Sequence, residues 1–473
     1  MRPDQRQGVV DAARYLQAVR PIDPGEIHEY VEGQPHPAAV RQVLRERATD
    51  LGLVERDDGR FVPVDDGPAD VEFDGVEALP EHHARTVEEL FAEAFGPEWP
   101  DGETGDRLRG RIREVKRAYL AGNPPEYDEL TALGYAAYHL PATYAASQYV
   151  LAGLAADDLL PRRLRVLDVG AGVGGPALGL CDLLPEDALV DYRAVEPGAG
   201  ADILERLLET TGHNVHATIH RERAESFDPG GPFDLVLFAN VLSELDDPVS
   251  VVVEYLDALA ADGSLVAIAP ADRETATGLR AVERGVEAGT DATVYAPTLR
   301  LWPGETPAGD CWSFDRRPDL RVPEFQRRLD DGERAVSDPD RSPGDGEFRN
   351  ADVQYAYGVL RTDGRERVTV DPDPGRYAPM ADTGDHVTER IDCLGVKLSR
   401  DLGGENPLFL IGDGSERIDH FGVVVEPTAL NRAVERADYG TVLQFENALA
   451  LWNDDEGAYN LVIDGETIVD PVG

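Results

Sequence analysis

Apolar residues gather along this chain in three different rhythms. Between about Pro161 and Arg361 they come in dense runs: Leu164–Val169, Val190–Val195, Phe233–Ala239 and Leu265–Ala269. Runs of that length, bounded by polar or glycine-bearing turns, predict buried strands of an α/β sheet. Tyr355–Arg361 predicts the last strand of that sheet. Ahead of it, helical spacing predicts three short helices over residues 6–20, 24–32 and 37–51, two of them opened by Pro24 and Pro37. Two short strands around Asp57-Asp58-Gly59 then predict a hairpin. Three helices and a hairpin over residues 1–66 is the winged-helix order, with Arg41, Arg45 and Arg47 on the third helix. Such modules dock on either nucleic acid or protein. Residues 65–82 read as an acidic linker. A helical lead-in over residues 81–157 follows, broken at Pro97, Pro100 and Asn123-Pro124-Pro125. Over 385–473 the period changes to alternation, predicting strands at 387–398, 407–411, 416–425, 440–452 and 457–468. One helix, Thr428–Ala437, separates the third from the fourth. That is the order of an OB-fold β-barrel. Asp330–Glu347, rich in Asp, Gly, Pro and Ser, reads as a mobile loop.

Charge changes the picture of the solvent rather than of the fold. The 473 residues carry a net charge of −46, and only Lys116 and Lys397 are lysines. Acidic excess with scarce lysine suits a halophilic protein in molar salt, where the Debye length is about 3 Å and self-repulsion is screened. No apolar run is long enough to span a membrane and no signal-peptide core opens the chain, so a soluble cytoplasmic protein is expected, with no membrane partner. Cys181, Cys311 and Cys393 are widely spaced and support neither a disulfide framework nor a zinc site. The pair His82-His83 reads as solvated surface.

The chemistry concentrates in Asp168-Val169-Gly170-Ala171-Gly172-Val173-Gly174-Gly175, a strand turning sharply into a helix. Glycines there let the backbone approach a ligand closely. Gly170, Gly172 and Gly175 also satisfy the dinucleotide pattern, so the glycines alone do not name the cofactor, and a glycine-rich turn in another α/β domain stays open. Asp168 tips the choice: a carboxylate there crowds a pyrophosphate but suits the ammonium of S-adenosyl-L-methionine. The assignment is Asp168 to the methionine end, Gly170, Gly172 and Gly174 to the close backbone approach, and Glu196 to the ribose hydroxyls. Asn240 lines the pocket near the methyl group. Glu225 reads as either an adenine contact or a surface acid. Neither the Asn-Pro-Pro-aromatic string of exocyclic-nitrogen methylation nor a cysteine placed for cytosine C5 chemistry is present, so no catalytic residue is assigned.

Tyr135-Ala136-Ala137-Tyr138-His139-Leu140-Pro141-Ala142-Thr143-Tyr144, the glycine loop, and Asn240-Val241-Leu242-Ser243-Glu244-Leu245 together resemble the small-ribosomal-subunit methyltransferase-like family, over roughly residues 125–361. The resemblance implies a class I methyltransferase (Rossmann-like) domain over residues 161–361, S-adenosyl-L-methionine as cofactor, and association with small-subunit ribosomal RNA. The chain resembles a haloarchaeal-type member of that family. The family carries cysteines for an iron–sulfur cluster. Here Thr298 follows Ala296-Pro297 where a cysteine is expected, and Cys311 is the single plausible match, so no metal cluster is expected. In the final segment, Ile411–Ser415 and Gln444–Ala448 resemble single-strand-binding OB folds such as those of replication protein A. Phe409, Phe421, Phe445, Trp452 and Tyr459 are candidate stacking platforms, Trp452 first and Phe421 second. Arg390, Arg400 and Arg417 are candidate phosphate contacts in a segment of 18 acids and 6 bases. The leading reading is an S-adenosyl-L-methionine-binding, RNA-directed methyltransferase or assembly protein. A small-molecule methyltransferase and a single-stranded nucleic-acid binder with a vestigial enzyme domain are the alternatives.

Overall fold

The computed structural model describes residues 1–120, 127–307, 311–318, 320–332 and 345–472. The Asn123-Pro124-Pro125 turn and most of the expected Asp330–Glu347 loop lie outside them. The described residues form two compact units: Met1–Ala239 with Ala258–Ser264 and Asp319–Val353, and Asn240–Asp257 with Leu265–Pro318 and Gln354–Gly473. No helix among them is long and apolar enough to cross a membrane.

The first unit opens with α1 (Pro3–Leu16), α2 (Pro24–Tyr30), α3 (Pro37–Glu46), α4 (Ala48–Leu51) and a hairpin of β1 (Leu53–Glu55) and β2 (Phe61–Pro63). Val9, Ala13, Ile27, Val40, Leu44 and Phe61 close its core. The Asp23 carboxylate accepts from the Gly25 amide at the start of α2, an N-cap that fits Pro24 at the first helical position. The single helix expected over 37–51 is two: the backbone leaves helical geometry at Arg47 (φ −115°) and restarts for one turn. Arg41 and Arg45 both turn onto the buried Glu55 carboxylate, and Arg47 onto Asp50, so these arginines are spent inside the module. The Asn214 amide clasps the module's Glu55 backbone, while Ala48 and Val54 pack on Leu189.

The lead-in is α5 (Glu81–Phe95), α6 (Gly102–Leu120), α7 (Glu129–Tyr138) and α8 (Leu140–Ala156). The α/β segment follows as β3 (Arg163–Val169), α9 (Gly175–Leu183), β4 (Leu189–Val195), α10 (Gly200–Leu208), β5 (Val215–His220), β6 (Phe233–Ala239), α11 (Pro248–Leu256), β7 (Leu259–Pro270), α12 (Arg273–Gly289), β8 (Thr293–Ala296), β9 (Asp315–Arg317), α13 (Glu324–Asp331) and β10 (Val353–Arg361). Hydrogen-bonded order along the sheet is β5-β4-β3-β6-β7-β10-β8. Strands β5, β4, β3 and β6 are mutually parallel, and β10 runs antiparallel to both β7 and β8. Tyr355–Arg361 is therefore the last strand in chain order but not the edge. The four-residue β8, which the apolar pattern did not single out, pairs outside it.

The C-terminal segment holds β11 (Arg390–Lys397), β12 (Leu408–Gly412), β13 (His420–Val424), α14 (Ala433–Arg436), β14 (Val442–Asn453), β15 (Ala458–Ile463) and β16 (Ile468–Pro471). Pairing runs β11-β12-β13-β15-β14 and returns to β11, with β13 parallel to β15. This is a closed five-stranded barrel of OB-like order, its interior filled by Cys393, Phe409, Ile411, Phe445 and Leu461. Two expectations change here. The helix over 428–437 shrinks to one turn because the buried Asn431 side chain is diverted into the preceding loop. It accepts from the Thr428 amide and donates to the carbonyls of Glu426 and Asp464. The strand over 457–468 is broken by the Asp464–Thr467 turn, which frees β16 to pair with β14.

Candidate functional site

The site grows from the end of β3. Val166, Leu167 and Val169 are fully buried, and Asp168 is buried among them with no exposed surface. The loop beyond it folds back onto β4, where the Gly170 and Ala171 amides donate to the Val195 carbonyl. Gly170, Gly172 and Gly174 hold φ of +71°, +54° and +94°, the left-handed region that side chains avoid. A Cβ on Gly200 would stand 2.8 Å from the Gly172 carbonyl oxygen, so the two turns touch backbone to backbone.

Glu196, at the end of β4, receives the Gly172 amide on one carboxylate oxygen (2.9 Å) and the Gly198 amide on the other (2.7 Å). A carboxylate has about four lone-pair sites, so two remain for hydroxyl donors. Asp168 Oδ2 accepts from the Tyr192 hydroxyl at 2.5 Å, whereas Asp168 Oδ1 is buried with no partner. Burial, with a smaller contribution from the Glu196 charge, raises the Asp168 carboxyl to about 7 against the pull of Tyr192. An unpartnered buried oxygen at the strand end that leads into the glycine loop is what an ammonium donor would complete. The donor set, a buried carboxyl with one open acceptor, a second carboxylate with lone pairs to spare and a glycine loop, is compatible with a ligand that brings an ammonium and a hydroxyl pair.

The structure thus brings Asp168, the three glycines and Glu196 together. Asn240 follows β6 with φ +59°, its amide donating to the Ile268 carbonyl, and belongs to the second unit. Glu225 is exposed on a single 3-10 turn. Sequence reading missed Tyr192, which alternation along β4 turns toward the β3 acid. It also missed an aromatic lane, Tyr127, Tyr135 and His139, with ring centroids 6.0 and 4.9 Å apart. The lane begins beside Gly198, where an added Cβ would meet that of Tyr127 at 3.2 Å. Desolvation keeps the His139 imidazole neutral, lowering it to about 4, with Lys116 adding to the effect.

The Leu140–Tyr144 string earns a role on this site's back wall. A Cβ on Gly175 would fall 2.0 Å from Thr143 Oγ1, so α8 and α9 pack where glycine leaves room. Tyr144 donates to Asp182 at 2.9 Å, and His83 meets the same carboxylate oxygen at 3.0 Å while its other ring nitrogen meets Thr210. His83 is wholly buried while His82 is exposed, so the surface reading of the pair holds for His82 and is corrected for His83. The three free thiols are pushed up by burial, Cys311 to about 12 within an apolar cluster of Leu299, Leu301 and Trp302.

In the barrel, Phe409 and Phe445 are interior, Phe421 is half-buried against the apolar cluster, and Trp452 is 39% exposed with its ring edge-on to Tyr459 at 4.9 Å. Arg390 pairs with Asp464 and Glu466, Arg417 with Glu305, and Arg400 lies 3.6 Å from Asp315. The β11–β14 register aligns Val396 with Val442 and Arg390 with Leu449, so Arg400 and Trp452 lie beyond opposite ends of that pairing.

Parallel strands ordered around β3, an antiparallel β10 inserted before the edge, and a glycine loop at the end of β3 define a mixed α/β sheet of Rossmann-like order. A family model described as the C-terminal domain of DUF8157, a domain of unknown function, matches residues 381–472, and that of its N-terminal domain matches residues 6–57. No curated protein matches the chain. Among solved structures it is similar to the mitomycin 7-O-methyltransferase MmcR, at 16% identity over 56% of this chain and 76% of that one, with a TM-score of 0.25. It is similar too to an S-adenosylmethionine-dependent methyltransferase from Clostridium acetobutylicum, at 11% identity over 34% and 57%, TM-score 0.24. A sugar N-methyltransferase from Streptoalloteichus matches at 22% identity over 27% and 47%, TM-score 0.21. The chain spans about half the length of the last two, and at these scores the fold rests on its own strand order.

Proposed function

We propose that the chain is an S-adenosyl-L-methionine-dependent methyltransferase acting on RNA, with small-subunit ribosomal RNA as the choice favoured by the Leu140–Tyr144 string. The observation that carries the cofactor is Asp168: a dry carboxyl at the glycine loop with one oxygen unspent. The cofactor supplies a methyl group already activated on a sulfonium. What remains for the chain is positioning. Asp168 holds the ammonium end, Glu196 fixes the ribose while bracing Gly172, and the Tyr127–Tyr135–His139 lane offers flat, uncharged surface to an acceptor base. The neutral His139 imidazole has an acceptor nitrogen for a hydrogen bond. The exposed Trp452, backed edge-on by the half-buried Tyr459, supports the RNA reading as a stacking platform. The N-terminal winged-helix order, its arginines spent on Glu55 and Asp50, favours a packing role on the α/β domain over DNA or RNA readout. Calorimetry of S-adenosyl-L-methionine with the wild type and Asp168→Asn in molar KCl tests the assignment. Tight binding by the first and at least tenfold weaker binding by the second is expected. Equal affinities, or no binding by either, would remove the cofactor and with it the enzyme reading.

A further inference from the structure

The barrel carries a cavity of about 600 Å3 between the end of β11, the β11–β12 loop and the turn after α14. In a chain with twice as many acids as bases, its wall inverts the balance: Arg316, Lys397, Arg400 and Arg436 face three carboxylates. Two of those carboxylates are already engaged. Asp401 accepts from the Gly403 and Leu408 amides, and Asp438 meets Arg317 at 3.4 Å. Three of the cations, Lys397, Arg400 and Arg436, are less committed. Lys397, one of two lysines in the chain, is 3% exposed and lies over the Phe409 ring at 4.4 Å. Its ammonium donates to the carbonyls of Glu435 (3.2 Å) and Ala437 (2.8 Å), which leaves one of three protons unassigned. Arg400 has its single ion pair at a long 3.6 Å, and the exposed Arg436 guanidinium has no partner among the described residues.

We infer that this cavity binds a phosphoryl group carried on a nucleotide-sized ligand, with Lys397, Arg400 and Arg436 as its donors. The volume decides the size: a bare phosphate would rattle in about 600 Å3, whereas small organic ligands occupy cavities of about 300–1,000 Å3. Phe409 and two prolines of the wall give the organic part an apolar surface. Burial without a full counter-charge drops the Lys397 ammonium to about 8, and a bound dianion would draw it back up. Trp452 lies beyond the other end of the β11–β14 pairing, so the cavity and the stacking platform are separate places on the barrel. The inference deepens the RNA reading by giving the barrel a phosphate-holding end, and it can stand without that reading.

The test is calorimetry on the full chain in molar KCl with uridine 5′-monophosphate, uridine and penta-uridylate, all with saturating S-adenosylhomocysteine to block the glycine-loop site. Uridine monophosphate is expected to saturate one site and to bind at least tenfold tighter than uridine. Arg400→Gln combined with Arg436→Gln is expected to lose tenfold or more, and both side chains are accessible enough for the fold to survive. Trp452→Ala is expected to leave monophosphate binding unchanged while weakening penta-uridylate. Monophosphate binding without penta-uridylate binding would keep the cavity as a site for free nucleotides and sink the RNA reading alone. Equal affinity for nucleoside and nucleotide, or undiminished binding by the double variant, would overturn the inference.

Discussion

The glycine-loop site and the barrel treat charge in opposite ways. At the loop a single carboxyl is stripped of water and left with an unspent oxygen. On the barrel, Arg390 and Arg417 are held by surface acids and one cavity keeps cations in reserve. The first arrangement invites a cation, the second an anion. Position in the fold, not overall composition, decides which ligand a region of so acidic a chain can hold.

The largest expected effect breaks the first half of that contrast. Asp168→Ala should lose about 1.5–3 kcal/mol of cofactor binding, the worth of charge-assisted hydrogen bonds, read by calorimetry at pH 8. The same carboxyl couples binding to pH. Its folded value of about 7 lies above the ordinary aspartate value of about 3.9, so the free protein loses stability as pH rises between them. Cofactor affinity should run the other way, climbing through about pH 7 as Asp168 ionises. Thermal melts and titrations from pH 5 to 9 should show both trends in the wild type and neither in Asp168→Asn; a variant that keeps the wild-type slopes would place the titration elsewhere.

Next in size is the back wall. Gly175→Ala drives a methyl into Thr143 and should cost about 1–3 kcal/mol of stability by denaturant melting, with Thr143→Ala on top recovering most of it. Additive losses in the double variant would show that the two residues are not in contact. The smallest effect sharpens the barrel half. Arg390→Gln and Arg417→Gln break exposed ion pairs and should each change stability by only about 0–1 kcal/mol. Neither should alter penta-uridylate binding, and a clear loss with either would return these arginines to the RNA-binding role expected of them from sequence.

What the sequence made legible was local. The glycine loop, its two acids, the three N-terminal helices and the alternation of the barrel all follow from residues within a few positions of one another. Tertiary pairing was not. Arg41 and Arg45 look outward on a helical wheel but reach a glutamate in the next hairpin, and His83 looks polar but is buried against Asp182 and Thr210. Arg400 and Trp452 fall in one short segment, yet strand register sends them to opposite ends of the β11–β14 ladder. The helix over 428–437 failed for a related reason: Asn431 finds better partners across the barrel at Asp464 than along its own helix.

The parallel pairing of β13 with β15 has a consequence for how the chain is made. Residues 420–424 wait for 458–463, and β11 waits for β14, so closure needs strands separated by tens of residues. Such non-local contacts form late, because loop-closure entropy is spent before they return anything. On the ribosome, β11 to β13 would emerge as an open meander with free edges until β14 and β15 appear. Its surplus of acids would then act as a gatekeeper, keeping unfinished copies from zipping onto one another until those partner strands arrive.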